Sequence, residues 1–139
     1  MKTVICFGTF DLLHLGHLSY FEQAKKYGDY LIVVVARDST KEKQKKKIIF
    51  TEDERLKLLQ SLRLVDEAVL GYGKDHFKII VEKNPNVICL GYDHLISEEI
   101  LQRELAKRNL HPHIIRAKPF KSKSQKSGIL RSRLHERGI

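Results

Sequence analysis

Residues 30–36 read Tyr-Leu-Ile-Val-Val-Val-Ala, and this run decides the fold. An unbroken, β-branched stretch suits a strand buried on both faces, as in a parallel sheet flanked by helices. Working outward, Thr3–Phe7 and Asn86–Leu90 are shorter runs of the same kind, and Glu67–Leu70 and His113–Arg116 are further strand candidates. Between the first two strands Leu18, Phe21 and Ala24 recur at helical spacing, and Gly28-Asp29 stops that helix. Thr51-Glu52-Asp53-Glu54 is a capping box, so a helix is predicted from there to about Leu62. Residues 75–83 and 128–137 read as helices. Another starts after Ser97, with Glu98 and Glu99 at its positive end and Lys107 and Arg108 at its negative end.

Strands alternating with helices predict an α/β fold: a Rossmann-like, doubly wound, five-stranded parallel sheet with helices on both faces. The 139 residues are too few for two cores, so residues 1–139 are expected to form a single domain. In such sheets ligands bind beyond the carboxyl ends of the strands, near the switch point. That rule selects three loops, at 8–17, 91–94 and 117–127.

The chain has no apolar run near the roughly 18 residues of a membrane span, and its start lacks the pattern of a signal peptide. Cys6 and Cys89 are too few for a disulfide framework and too isolated for a zinc site, so the expected location is cytoplasmic. They read as small core residues. The net charge of +9 is concentrated: residues 41–47 carry +4, residues 116–139 carry +7, and the remainder sums to −2. Patches of this kind attract polyanions of any class.

The first loop is Gly8-Thr9-Phe10-Asp11-Leu12-Leu13-His14-Leu15-Gly16-His17. It has neither the dinucleotide glycine pattern nor the lysine-bearing phosphate loop. It does have His-x-Gly-His at the mouth of the first helix. His14 and His17 are three apart and so face the same way across a helical turn. Gly16 leaves room for phosphates to approach the backbone, and the helix start adds N–H donors. A lone His is more often a cap or a half-buried contact. A pair with Gly between them, after a Gly-Thr-Phe-Asp turn, favours a phosphate cradle with two imidazole donors.

Gly8-Thr9-Phe10-Asp11 with His14-x-Gly-His17 resembles the signature of the nucleotidylyltransferase superfamily, and the resemblance to its small cytidylyltransferase-like group covers nearly the whole chain. Lys43–Lys46, Glu54-Arg55 and Arg63–Glu67 are similar to bacterial glycerol-3-phosphate cytidylyltransferase. The second half departs from that enzyme. Ala36-Arg37-Asp38-x-Thr40, Leu90-Gly91-x-Asp93, Glu104–Lys107 and Asn109-Leu110-x-Pro112 through Ile115-Arg116 resemble the archaeal FAD synthases instead. The cysteine pair near the tail of those enzymes is missing; Ser122, Ser124 and Ser127 stand in this tail.

The resemblance implies transfer of AMP from ATP to FMN. A phosphate monoester has a second pKa of about 6, so the nucleophile is already a dianion at neutral pH and no general base is required. Catalysis reduces to alignment and charge stabilisation. His14 and His17 are the expected catalytic residues, with Leu15 and Gly16 between them in the nucleotide site. Thr9 and Phe10 would present backbone groups to the nucleotide. Lys43, Lys45 and Lys46 form a loop suited to the phosphates, and Ser127 suits the β- and γ-phosphates. Asp93 reads either as an acceptor for ribose or base, or as a loop cap. Phe120 reads either as a stacking surface for adenine or as a residue buried against the sheet edge. Asp11 either meets a metal through water or orients its turn, and Arg63 with Asp66 suggests a structural pair, although the resemblance implies that an Arg at this point can reach substrate phosphate. No residue set forms a metal cage, so Mg²⁺ is expected to arrive on ATP. Related enzymes are often dimers, which implies a homodimer. Two other functions compete: the same chemistry with CTP and glycerol 3-phosphate or a related polyol phosphate, and a basic nucleic-acid-binding module. The tail has a single aromatic, Phe120, which argues against the last.

Overall fold

The computed structural model describes residues 1–43, 47–73 and 75–120, and for 41–43 the backbone only. Five strands, β1 (Thr3–Gly8), β2 (Tyr30–Val35), β3 (Glu67–Leu70), β4 (Val87–Leu90) and β5 (His113–Arg116), form one sheet in the order β3-β2-β1-β4-β5. Every pairing is parallel. The order reverses between β1 and β4, so the switch point lies at the ends of those two strands.

Alternation within the buried strands separates two apolar layers. Val4, Cys6, Leu31, Val33, Val35, Val87 and Cys89 face α1 (Leu15–Lys25) and α3 (Glu52–Gln60). Ile5, Ile32, Val34, Ile88 and Leu90 face α4 (Lys78–Lys83) and α5 (Glu98–Ala106). This accounts for the continuous apolar run in β2: odd and even positions alike are buried, one set under each helix layer.

The Thr51 hydroxyl accepts from Glu54 N–H at 3.2 Å and the Glu54 carboxylate accepts from Thr51 N–H at 3.0 Å, which fixes the start of α3 as expected. That helix ends at Gln60, two residues short of the expected Leu62. Helix α4 starts at Lys78; Asp75, expected inside it, accepts from the N–H groups of Phe77 and Lys78 ahead of it. One helix was not foreseen. α2 (Asp38–Lys43) occupies a stretch too hydrophilic to show an apolar period, so Lys43 ends a helix and does not sit in a loop. Asp66 pairs with Lys25 at 2.8 Å and accepts from Leu31 N–H at 2.8 Å, which replaces the expected pair with Arg63. Lys45, Lys46, Ser127 and the helix expected over 128–137 lie outside the described residues. Among the described residues no helix is long and apolar enough to cross a membrane.

Candidate active site

The β1–α1 loop is held in an unusual backbone shape. Phe10 has φ of 56°, a left-handed conformation that costs an aromatic residue about 1–2 kcal/mol. Its ring folds back over Gly8, where a Cβ would lie 2.6 Å from the ring, and packs 5.3 Å from Phe21 and 5.4 Å from His17. The strain is offset by burial, and the turn aims the following residues at the start of α1.

His14 is not in the helix. It is the N-cap, with extended backbone, and its Nδ1 accepts from Gly16 N–H at 3.0 Å. His17, in the first turn, returns the bond: its Nδ1 accepts from His14 N–H at 3.3 Å. Two imidazoles thus play the parts that Ser and Glu play in an ordinary capping box. The rings lie 4.1 Å apart at 32°. A Cβ at position 16 would fall 2.7 Å from His14 Cε1, so the His14 ring itself requires the glycine.

This geometry sets the tautomers. A nitrogen that accepts an N–H bond carries no proton, so both rings hold their proton on Nε2. Burial lowers the pKa of His14, and burial followed by the neighbouring His14 lowers His17 to about 4, opposed by the charge of Asp93. At neutral pH the site therefore holds two neutral Nε2–H donors. Capping, one of two rivals in the sequence, uses Nδ1, and a ligand would meet the other nitrogen, so the two roles are compatible on one ring.

Asp11 is buried. Its two oxygens accept from the N–H groups of Ile49 and Phe50, both at 2.8 Å, and so clip the loop to the segment before α3. This is the turn-orienting alternative, carried out over a long sequence distance. Thr9 presents its carbonyl to Arg55 Nη1 at 2.8 Å.

The opposite wall is the β4–α5 loop. Asp93 is exposed there, near enough for its charge to act on His17. His94 was not singled out by sequence reading. Its Nδ1 accepts from Gly91 N–H at 3.0 Å, repeating three residues apart the bond that His17 makes with His14. Between the walls, Tyr20 is buried with its hydroxyl at the last rung of the β1–β4 pairing. It accepts from Phe7 N–H at 3.3 Å and donates to the Cys89 carbonyl. Two arginines were also missed as structural centres. Arg55 bonds the carbonyls of Thr9, Ala36 and Phe50 and the Asp38 carboxylate. Arg116 bonds the carbonyls of Gly91, His94 and Ile96 and the Glu98 carboxylate. Phe120 is half-buried, its Cβ 3.8 Å from the point a Gly16 Cβ would occupy, which brings the post-β5 segment to the cradle. Among the described residues no cluster of His, Cys, Asp or Glu is arranged to hold a metal.

Residues 5–133 match the cytidylyltransferase-like family model. The chain belongs to the cytidylyltransferase-like family. Within its sequence neighbourhood is an FAD synthase from Thermoplasma acidophilum, 42% identical over 136 residues, which span 98% of this chain and 96% of that one. An FAD synthase from Methanohalophilus mahii is 44% identical over 138 residues, 99% of this chain and 96% of that one. Among solved structures, the lipopolysaccharide core biosynthesis protein from Thermoplasma volcanium superposes with a TM-score of 0.85 at 43% identity, covering 87% of this chain and 99% of that one. Membership in the cytidylyltransferase-like family agrees with the five-stranded parallel sheet and with the His-x-Gly-His cradle at its switch point.

Proposed function

We propose that the protein is an FAD synthase that transfers AMP from ATP to FMN and releases pyrophosphate. The observation that carries the reading on the structural side is the pair of neutral Nε2–H donors at the start of α1. An FMN phosphate oxygen attacks the α-phosphorus, a P–O bond forms, and the bond to the pyrophosphate oxygen breaks. The dianionic monoester supplies its own electron pair, so the two imidazoles serve as donors to oxygens on which charge builds. With His17 titrating at about 4, the donors stay neutral across the physiological range.

In this reading the nucleotide lies against Thr9, Phe10, Leu15, Gly16, Asp93 and Phe120. The triphosphate draws on Lys43, Lys45, Lys46 and Ser127. Mg²⁺ comes bound to ATP and supplies charge neutralisation on the phosphates; Asp11, with both oxygens on backbone N–H groups, is committed to the loop. Cytoplasmic residence and a homodimer accompany the reading, and sedimentation of the purified chain tests the dimer.

The decisive variant is His17→Ala. Its kcat for FAD formation should fall by roughly 10²–10³, the scale of losing one oxyanion-type donor, with a smaller change in ATP affinity. Because His17 also holds the His14 N–H, the variant should lose about 1 kcal/mol of stability. His17→Asn, whose amide both accepts and donates, should recover most of the stability and part of the rate. Normal turnover in a folded His17→Ala protein would remove the cradle from the active site. Faster product formation from CTP and glycerol 3-phosphate than from ATP and FMN would overturn the substrates and leave the reaction type.

A further inference from the structure

The segment that leaves β5 is tied to α1 by one side chain. The Gln23 amide donates through Nε2 to the Lys118 carbonyl at 3.1 Å, and its Oε1 accepts from Lys118 N–H at 2.8 Å. The two residues are 95 apart in sequence. A side-chain amide here makes the paired bonds that a neighbouring strand would make, because it carries a donor and an acceptor side by side on separate atoms, as a peptide group does. Gln23 Nε2 also reaches Ser19 Oγ at 3.2 Å, which holds the amide along the helix.

The path on either side of this clamp is defined. Before it, Ala117 N–H donates to the Leu90 carbonyl at 2.8 Å, and the Ala117 side chain is buried in the α1-facing core. After it, Phe120 stands beside Gly16 in the first turn of α1. Gln23 lies two turns further along that helix. Residues 118–120 therefore run back along α1 from its last turns to its start and deliver Phe120 to the imidazole cradle.

We infer that Gln23 is a positioning residue for nucleotide binding, acting by holding the 117–120 segment so that Phe120 walls the cradle. This rests on the adenylyl-transfer reading of the same site. Gln23 itself touches backbone, lies away from the imidazoles, and acts through Phe120. Freed of the clamp, the segment samples other paths, and Phe120 faces the nucleotide for only a fraction of the time.

The test uses the full chain with Gln23→Ala, Gln23→Glu, Phe120→Ala and the double variant Gln23→Ala/Phe120→Ala. ATP binding is read by calorimetry without FMN, and FAD formation by steady-state kinetics. Gln23→Ala should weaken ATP binding and raise its KM about fivefold to tenfold with kcat within about twofold. Gln23→Glu keeps the acceptor for Lys118 N–H and should fall between it and wild type. The double variant should bind ATP no worse than Phe120→Ala alone, because both changes remove the same contact. Unchanged ATP affinity in Gln23→Ala, or additive losses in the double variant, would overturn the inference. A lowered Tm with unaltered ATP affinity would also overturn it and leave the clamp a purely structural device. If wild type binds ATP and forms no FAD, the functional reading fails while the binding arm still decides the role of Gln23.

Discussion

Two arginines build the two walls of the crevice from the same parts, and their surroundings make them different. Each guanidinium gathers three backbone carbonyls and one carboxylate. Arg55 does so with its side chain fully buried, joining the β1–α1 loop, the end of β2 and the start of α3. Arg116 does so with its side chain 25% exposed, and everything it holds lies in the β4–α5 loop or at the first residue of α5. In water a lost guanidinium is replaced by solvent; inside the protein its carbonyls are left without partners. The first wall is thus part of the fold, and the second is a loop held in shape. The contrast puts the imidazole cradle on the rigid side and the more adjustable loop on the other.

The most severe way to break this comparison is Arg55→Met. It strands three carbonyls and the Asp38 partner, for an expected loss of about 3–5 kcal/mol. Since whole domains are stable by only about 5–15 kcal/mol, chemical denaturation should show a protein near its folding limit. A loss below about 1 kcal/mol would mean that the buried cluster is replaceable and that the walls do not differ in kind.

Arg116→Met should cost less, about 1–2 kcal/mol, because water reaches the groups it abandons. Its signature is functional: with the loop released, the apparent KM for ATP should rise several-fold in a protein that still unfolds cooperatively. Equal stability losses in the two variants would erase the distinction.

Acid separates the walls by pH. The folded pKa of His17 is depressed to about 4, so the unfolded chain binds protons first. The stability linked to it is complete above the ordinary value of 6.5 and drains away as pH falls toward 4. Glu98, lowered by its bond to Arg116, contributes only above its ordinary 4.5 and is lost below that. Thermal unfolding should therefore weaken from about pH 6.5 downward in wild type. His17→Asn should flatten that first decline, and Glu98→Gln should alter only the part below about 4.5. A decline of unchanged slope in His17→Asn would sever the cap from the titration.

The sequence spoke clearly where a pattern is local. The β2 run, the Thr51–Glu54 box and the bounds of β3 and β5 depend on neighbours a few residues away, and each stands where its residues put it. The cradle was visible as His14-x-Gly-His17, yet its atoms were not: that His14 precedes the helix and that Gly16 makes room for a ring follow from backbone angles. Arg55 reaches Asp38 and Thr9 across 17 and 46 positions, and Gln23 reaches Lys118 across 95, distances at which no periodicity operates. His94 makes the same kind of bond as His17, an imidazole accepting from a backbone N–H three residues earlier, but directly after a strand and at no helix start. Without the strand order, nothing marked β4 as the partner of β1.

The Tyr20 hydroxyl at the fork of β1 and β4 has a consequence for engineering. The spacer between the two strands is carried by a helix and by neither strand. In a chimaera residues 3–25, strand, loop and helix, should therefore travel together with the 49–55 segment that Asp11 and Thr9 bond, since dividing the unit after the histidines would separate the cradle from the oxygen that spaces it.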